Sequence, residues 1–158
     1  MHGSRHMFAF LLALLPLFWS AADIRACNGL PRGEVLAPKS GGGFRRLRVE
    51  IANTLESRAR GLMFRRRLKS GHGMLLRWKA PKRIAIWMKN TYLPLDIIFI
   101  ARDGRIVRVR ERARPLDTTI IPSRTPVIAV LELPAGDARR FGLRPGVRLR
   151  LPKSGRCP

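Results

Sequence analysis

At 158 residues, with 46% hydrophobic and 27% charged residues, the chain has the size and composition of one globular domain with a real core. This argues against a disordered or multidomain architecture, and no internal repeat is present. A formal net charge of +22 attracts polyanions such as nucleic acid, anionic lipid headgroups or acidic glycans, but the basic residues are spread over nearly every segment, as on ordinary solvated faces.

The N-terminus carries Arg5, an apolar run from Phe8 to Trp19 broken only by Pro16, and then Ser20, Ala21 and Ala22. This order of basic, apolar and small residues predicts a secretory signal over residues 1–22, cleaved after Ala22. The run is short for a permanent span, so the mature chain is expected to have no transmembrane helix. Two other readings stay open: retention by this apolar segment, and a lipid anchor at Cys27 through Ile24-Arg25-Ala26-Cys27, which the charge of Arg25 disfavours. Export would put Cys27 and Cys157 where disulfides persist. A bond between them would contribute roughly 3 to 5 kcal/mol by closing a long loop. Free or intermolecular thiols are the alternative.

Residues 23–43, with Pro31, Pro38 and Ser40-Gly41-Gly42-Gly43, read as a flexible leader ahead of a single β domain over 44–152, with a tail at 153–158. From Phe44, Leu47, Val49 and Ile51 alternate with Arg48 and Glu50, predicting a half-buried strand. Asn53 and Glu56 have capping-box spacing and open a short helix that Gly61 ends, with Leu55 and Leu62 expected to face inward. A basic connection follows, then the apolar Met74-Leu75-Leu76, a turn at Pro81, and a strand in which Ile84, Ile86 and Met88 alternate with Ala85, Trp87 and Lys89. Asp103-Gly104 predicts a two-residue type I′ turn between strands 97–101 and 106–111. Pro115, Pro122 and Pro126 mark a long surface loop. Strand 127–133, a short helix over 136–141 and an alternating segment from Val147 to Leu151 complete the chain. Many short strands with close turn signals predict a mainly β domain, an antiparallel sandwich or barrel with one or two short helices.

Common catalytic and nucleotide-binding signatures are absent: there is no G-x-S-x-G, G-x-x-x-x-G-K, H-E-x-x-H or dinucleotide fingerprint. His72 is the single histidine beyond the signal segment and no C-x-x-C occurs, so neither a metal site nor a cofactor is expected. The scarce carboxylates stand out. Asp96 lies between Leu95 and Ile97, and Glu132 between Leu131 and Leu133. If turned inward they need partners, for which Arg58 and Lys89 are candidates. The stretch Trp87 to Asp96, WMKNTYLPLD, sets polar Lys89, Asn90 and Thr91 among apolar residues. Trp87, Met88 and Tyr92 could line a cleft or simply pack, and Asn90 and Thr91 could serve a turn.

GLMFR at Gly61 to Arg65, GMLL at Gly73 to Leu76, WMKNTYLPLDIIFI at Trp87 to Ile100, and the later Gly104, Pro115, Leu131-Glu132 and Gly146 together resemble the bacterial and archaeal Domain of Unknown Function 192 family, over nearly all of Leu47 to Leu151. The resemblance implies a compact, mainly β, sandwich-like fold with small helices, frequent export, and no established activity. Its motif positions fall on Arg58, Gly61, Met63, Arg65, Gly73, Met74, Trp87, Met88, Lys89, Asn90, Thr91, Asp96 and Glu132. Leu76 and Ile86 stand where the pattern has aromatic residues, which places an aromatic wall in question.

Three functions follow as expectations. The preferred one is an exported, non-catalytic binding module for an anionic glycan, a lipid headgroup or a protein partner, with no sequence-specific nucleic-acid binding. Its ligand-binding set is Arg58, Arg65, Trp87, Lys89, Asn90, Thr91, Asp96 and Glu132. The second is a hydrolase or lyase acting on a glycan or phosphoester, with Asp96 or Glu132 as acid or base and Lys89 or Arg58 stabilising negative charge. In the third the motif is structural, stitching the sheet to the early helix.

Overall fold

The computed structural model describes residues 29–153 and 155. The predicted signal segment, Cys27 and Cys157 lie outside the described residues.

A six-stranded sheet organises the fold, in the order β1 (Arg32–Pro38), β2 (Phe44–Ala52), β3 (His72–Lys82), β8 (Val127–Pro134), β5 (Leu95–Ile100) and β6 (Ile106–Ala113). A two-stranded ribbon of β4 (Ala85–Ile86) and β7 (Ile121–Pro122) lies apart from it. The two helices are α1 (Leu55–Arg60) and α2 (Asp137–Arg140). The mainly β architecture with two short helices is therefore as expected, although the sheet is mixed and does not close into a barrel. β2 and β3 run parallel, while the other neighbouring strands run antiparallel. A parallel pair needs a long crossover, and the segment between Ala52 and His72, which contains α1, supplies it.

Both faces of the central strands are buried, by different parts of the chain. On one face Leu47, Val49, Leu75, Ile98, Leu131 and Leu133 pack with Ala138, Leu143 and Leu149 of the C-terminal part. On the other, Met74, Leu76, Ile97, Phe99 and Val130 pack with Leu62, Ile84, Ile86 and Met88. β5 and the heart of β8 are covered on both sides, so Leu95 to Ile100 reads as a continuous apolar run broken only by Asp96. At about 25 cal/mol per Å² of apolar area, these two layers are the main source of stability.

Several local features differ from expectation. Residues 32–38, assigned by composition to a flexible leader, form β1, which is fully paired with β2 from Arg32↔Glu50 to Pro38↔Phe44. An edge strand tolerates the flanking prolines that suggested a linker. The N-cap of α1 is Thr54, not Asn53. The Thr54 hydroxyl accepts from the Ser57 backbone N–H at 3.1 Å and the Ser57 hydroxyl accepts from the Thr54 N–H at 3.0 Å, a capping box shifted by one residue. Leu55 is thereby turned out and is 81% exposed, whereas Leu62 is buried as expected.

The turn after β5 is not type I′, because only Gly104 has a positive φ, at 82°. The Gly104 N–H donates to the Ala101 carbonyl at 3.0 Å and the Ala101 N–H to the Arg105 carbonyl at 2.9 Å, making a three-residue connection with its left-handed residue last. The Leu149 carbonyl would stand 2.2 Å from a Cβ at Gly104, so glycine is required there twice over. Residues 147–151 do not form a regular strand. They reach both sheet edges through the isolated bridges Leu36↔Arg150 and Arg105↔Arg148, covering parts of β1 and of the β6 side. Among the described residues no helix is long and apolar enough to cross a membrane.

Candidate functional site

The two carboxylates singled out in the sequence sit on adjacent central strands, β5 and β8. Asp96 stands opposite Leu133, and Glu132 opposite Ile97. Paired residues on antiparallel strands project to the same face, and successive residues to opposite faces. Asp96 therefore points into the layer containing α2, and Glu132 into the layer containing Leu62, Met74 and Ile97. The sheet separates them, and they cannot share one substrate as an acid–base pair.

Asp96 is completely buried, yet fully occupied by backbone donors. Its Oδ1 accepts from the Arg112 N–H at 2.8 Å, and its Oδ2 accepts from the N–H groups of Gly136 and Ala138, each at 2.8 Å. Arg112 has a φ of 49°, so the carboxylate also fixes a left-handed bend at the end of β6. Its partners are neither Arg58 nor Lys89. Asp96 ties the sheet to the late helix α2, not to the early helix α1.

Glu132 has the opposite character. It is 5% exposed, and its Oε2 has no hydrogen-bond partner. Burial pushes its carboxyl up from the ordinary value near 4.5 to about 7, with the Arg65 guanidinium opposing that shift. Arg65 itself is committed to Glu50, whose two carboxylate oxygens it holds with its two terminal nitrogens. That pairing keeps Glu50 below the ordinary carboxylate range. Glu132 consequently has a cation nearby but no direct partner.

Glu132 lines a cavity of about 210 Å³. The chain builds it from three directions. From α1 and its exit come Leu55, Arg58, Gly61 and Met63; from β3, Leu76 and Trp78; from the β4 region and the WMKNT motif, Ile86, Trp87 and Thr91. Gly61 ends α1 with a φ of 49° and brings its backbone against the carboxylate: a Cβ there would lie 3.6 Å from Oε2. Below the site, Gly73 lets β3 press against β8, since a Cβ would meet the Glu132 carbonyl oxygen at 2.1 Å and Leu133 Cδ2 at 2.7 Å.

The other expected residues divide between lining and bracing. Trp87 is 44% exposed at the cavity mouth, with the Lys89 ammonium 5.1 Å from its ring centroid. Arg58 lines the cavity, but donates to the carbonyls of Asn53 at 2.6 Å and Arg77 at 3.0 Å while lying 5.2 Å from the Trp78 ring centroid. Its guanidinium thus pins α1 to β3. Asn90 adopts a φ of 55°, and its carbonyl accepts from the Phe64 N–H at 2.9 Å. Thr91 is buried on the cavity wall, donating from its hydroxyl to the Lys89 carbonyl at 3.2 Å. The motif therefore shapes a tight turn whose flanks, Trp87 and Thr91, reach the cavity.

Trp78 was not singled out from the sequence, and Leu55 was expected to face the core, not to line a cavity. Placing the cap at Thr54 would have turned Leu55 outward, while Trp78 is masked by the apolar run that precedes it. His72 lies in β3 outside this cavity. Among the described residues no group of three or more His, Cys, Asp or Glu is placed to hold a metal ion.

Trp78 in place of the anticipated aromatics at Leu76 and Ile86 supplies one aromatic wall, and Trp87 supplies the rim. The arrangement is a small, largely apolar concavity with one unpaired carboxyl, suited to receiving a hydrogen-bond donor on an apolar or ring-shaped body.

Comparison with solved structures finds the same fold in a putative transcription regulator from Sinorhizobium meliloti, 43% identical, with 77% of this chain and 95% of that chain covered at a TM-score of 0.74. A protein of unknown function from Novosphingobium aromaticivorans is 37% identical, with 78% of this chain and 88% of that chain covered, also at a TM-score of 0.74. Comparison with curated proteins finds no match. Residues 36–151 match the family described as Uncharacterized ACR, and the chain belongs to that family, DUF192.

Proposed function

We propose that this domain is an exported, non-catalytic binding module whose ligand site is the cavity over Glu132. The supporting observation is a buried carboxyl, that of Glu132, which lines a cavity and has no hydrogen-bond partner at Oε2. A buried polar atom without a partner costs roughly 1 to 3 kcal/mol, and a ligand hydroxyl or amine donating to it removes that cost. The face of a sugar ring packs on Trp87 while its hydroxyls reach Glu132, so the end group of an envelope glycan fits the chemistry best. Lys89 and Arg60 beside the mouth favour anionic substituents held outside the cavity.

Binding is favoured over hydrolysis because Asp96 faces the opposite layer and is fully engaged. A two-carboxylate mechanism needs both groups at one bond. Similarity to a transcription regulator from Sinorhizobium raises DNA binding as a second reading, but α1 and α2 span six and four residues, short for a recognition helix in the major groove. Export rests on the signal-like order of residues 1–22, and mass spectrometry of the secreted or periplasmic chain should find an N-terminus at Asp23.

The site is tested by NMR titration with a panel of neutral and acidic sugars. The expected result is shift perturbation at Gly61, Trp87 and Thr91, lost in Glu132→Leu and weakened in Trp87→Ala. Perturbations confined to other surfaces, or binding indifferent to Glu132→Leu, would sink the proposal.

A further inference from the structure

A second concavity, of about 830 Å³, lies over β1 and β2, on the same face of the sheet as Glu132 but not lined by it. The floor follows from strand register: Arg32 pairs with Glu50, Glu34 with Arg48 and Leu36 with Arg46, so Arg32, Glu34, Arg46, Arg48 and Glu50 share one face. Arg67, Lys69 and His72, from the crossover and the start of β3, form the wall. The lining holds five Arg or Lys side chains against two Glu.

The two carboxylates are already neutralised. Glu34 is held by Arg46 at 3.0 Å, and Glu50 by Arg65. Arg32, Arg48, Arg67 and Lys69 have no carboxylate within salt-bridge distance among the described residues. The side chains of Arg48, Arg67 and Lys69 are exposed and make no hydrogen bond among those residues, so the fold does not use them.

We propose that this groove binds a linear acidic polysaccharide. Its concavity suits a thin, flexible chain better than the flat surface of a bilayer. No Phe, Trp or Tyr lines it, whereas single-stranded nucleic acid is ordinarily held by stacking its bases on aromatic side chains. Four uncompensated cations around a groove supply the sequence-independent attraction that a polyanion needs.

The test uses the full chain and a fluorescent heparin oligosaccharide, with anisotropy followed across a NaCl series. Arg48→Gln, Arg67→Gln and Lys69→Gln combined should weaken binding about tenfold or more and flatten the log–log salt slope by about 2, as expected for three lost anion contacts. A control of equal charge change at exposed positions outside this groove, Arg102→Gln, Arg114→Gln and Arg124→Gln, should alter affinity by less than about twofold. The cavity reading has its own readout, the neutral-sugar titration at Gly61, Trp87 and Thr91, so failure here is distinct from failure of that reading. Equal losses in both triple variants would overturn the proposal in favour of a diffuse field. It would equally be overturned if a single-stranded oligonucleotide or a phosphatidylglycerol vesicle bound more tightly than heparin and showed the same dependence on the groove triple.

Discussion

Asp96 and Glu132 stand one register position apart on neighbouring strands, and for that reason face opposite layers of the domain. The same register gives them opposite chemistry. Asp96 meets three backbone N–H donors at the start of α2 and the end of β6, and Glu132 meets none. One is a brace, and the other is a carboxyl kept free.

Asp96→Asn should destabilise the domain by about 3 kcal/mol, because the amide presents an N–H₂ to at least one of the three backbone donors and the charge that strengthens those bonds is lost. For a domain of this size the melting temperature should fall by roughly 10 °C. Thermal unfolding followed by circular dichroism measures it, and an unchanged melting curve would refute the bracing role.

The raised carboxyl of Glu132 makes stability depend on pH. The folded form binds a proton up to about pH 7, whereas the unfolded form releases it near 4.5. Folding is therefore favoured most below the unfolded value, and the protonated form's contribution is lost as pH rises through 7. A shift of this size corresponds to about 3 kcal/mol between pH 4.5 and 8. Denaturant melts across that range should show the loss in the unmodified chain and not in Glu132→Gln. Parallel pH profiles for the two proteins would refute it.

Arg65 opposes the upward shift of Glu132 from its position on Glu50. Arg65→Gln should raise the Glu132 midpoint further, because the nearest cation disappears while burial remains. Carboxyl carbon-13 NMR reports the midpoint directly. A midpoint that stays in place or moves down would show that Arg65 exerts no field on the cavity.

Gly73→Ala should cost about 3 kcal/mol or prevent folding, since the added carbon meets the β8 backbone at 2.1 Å and central strands cannot separate locally. Expression yield and urea midpoint are the readouts. A midpoint equal to that of the unmodified chain would exclude this close approach of β3 and β8.

Local pattern carried much of the architecture. Alternation of Leu47, Val49 and Ile51 against charged neighbours identifies β2, the apolar run identifies β8, and Gly61 marks the end of α1, because each is set by side-chain direction or backbone freedom within a few residues. The mainly β class was legible for the same reason, and so were the odd positions of Asp96 and Glu132 within apolar runs. β1 was hidden because an edge strand needs little apolar pattern when its hydrogen bonds come from a neighbour. The parallel pairing of β2 with β3, and the partition of Asp96 from Glu132, could be decided only by the tertiary structure. Both depend on strand register between segments far apart in the chain, where a one-residue slip turns every side chain to the other face. Sequence alone identified two unusual carboxylates, and the sheet between them determined that one holds the fold while the other lines the cavity.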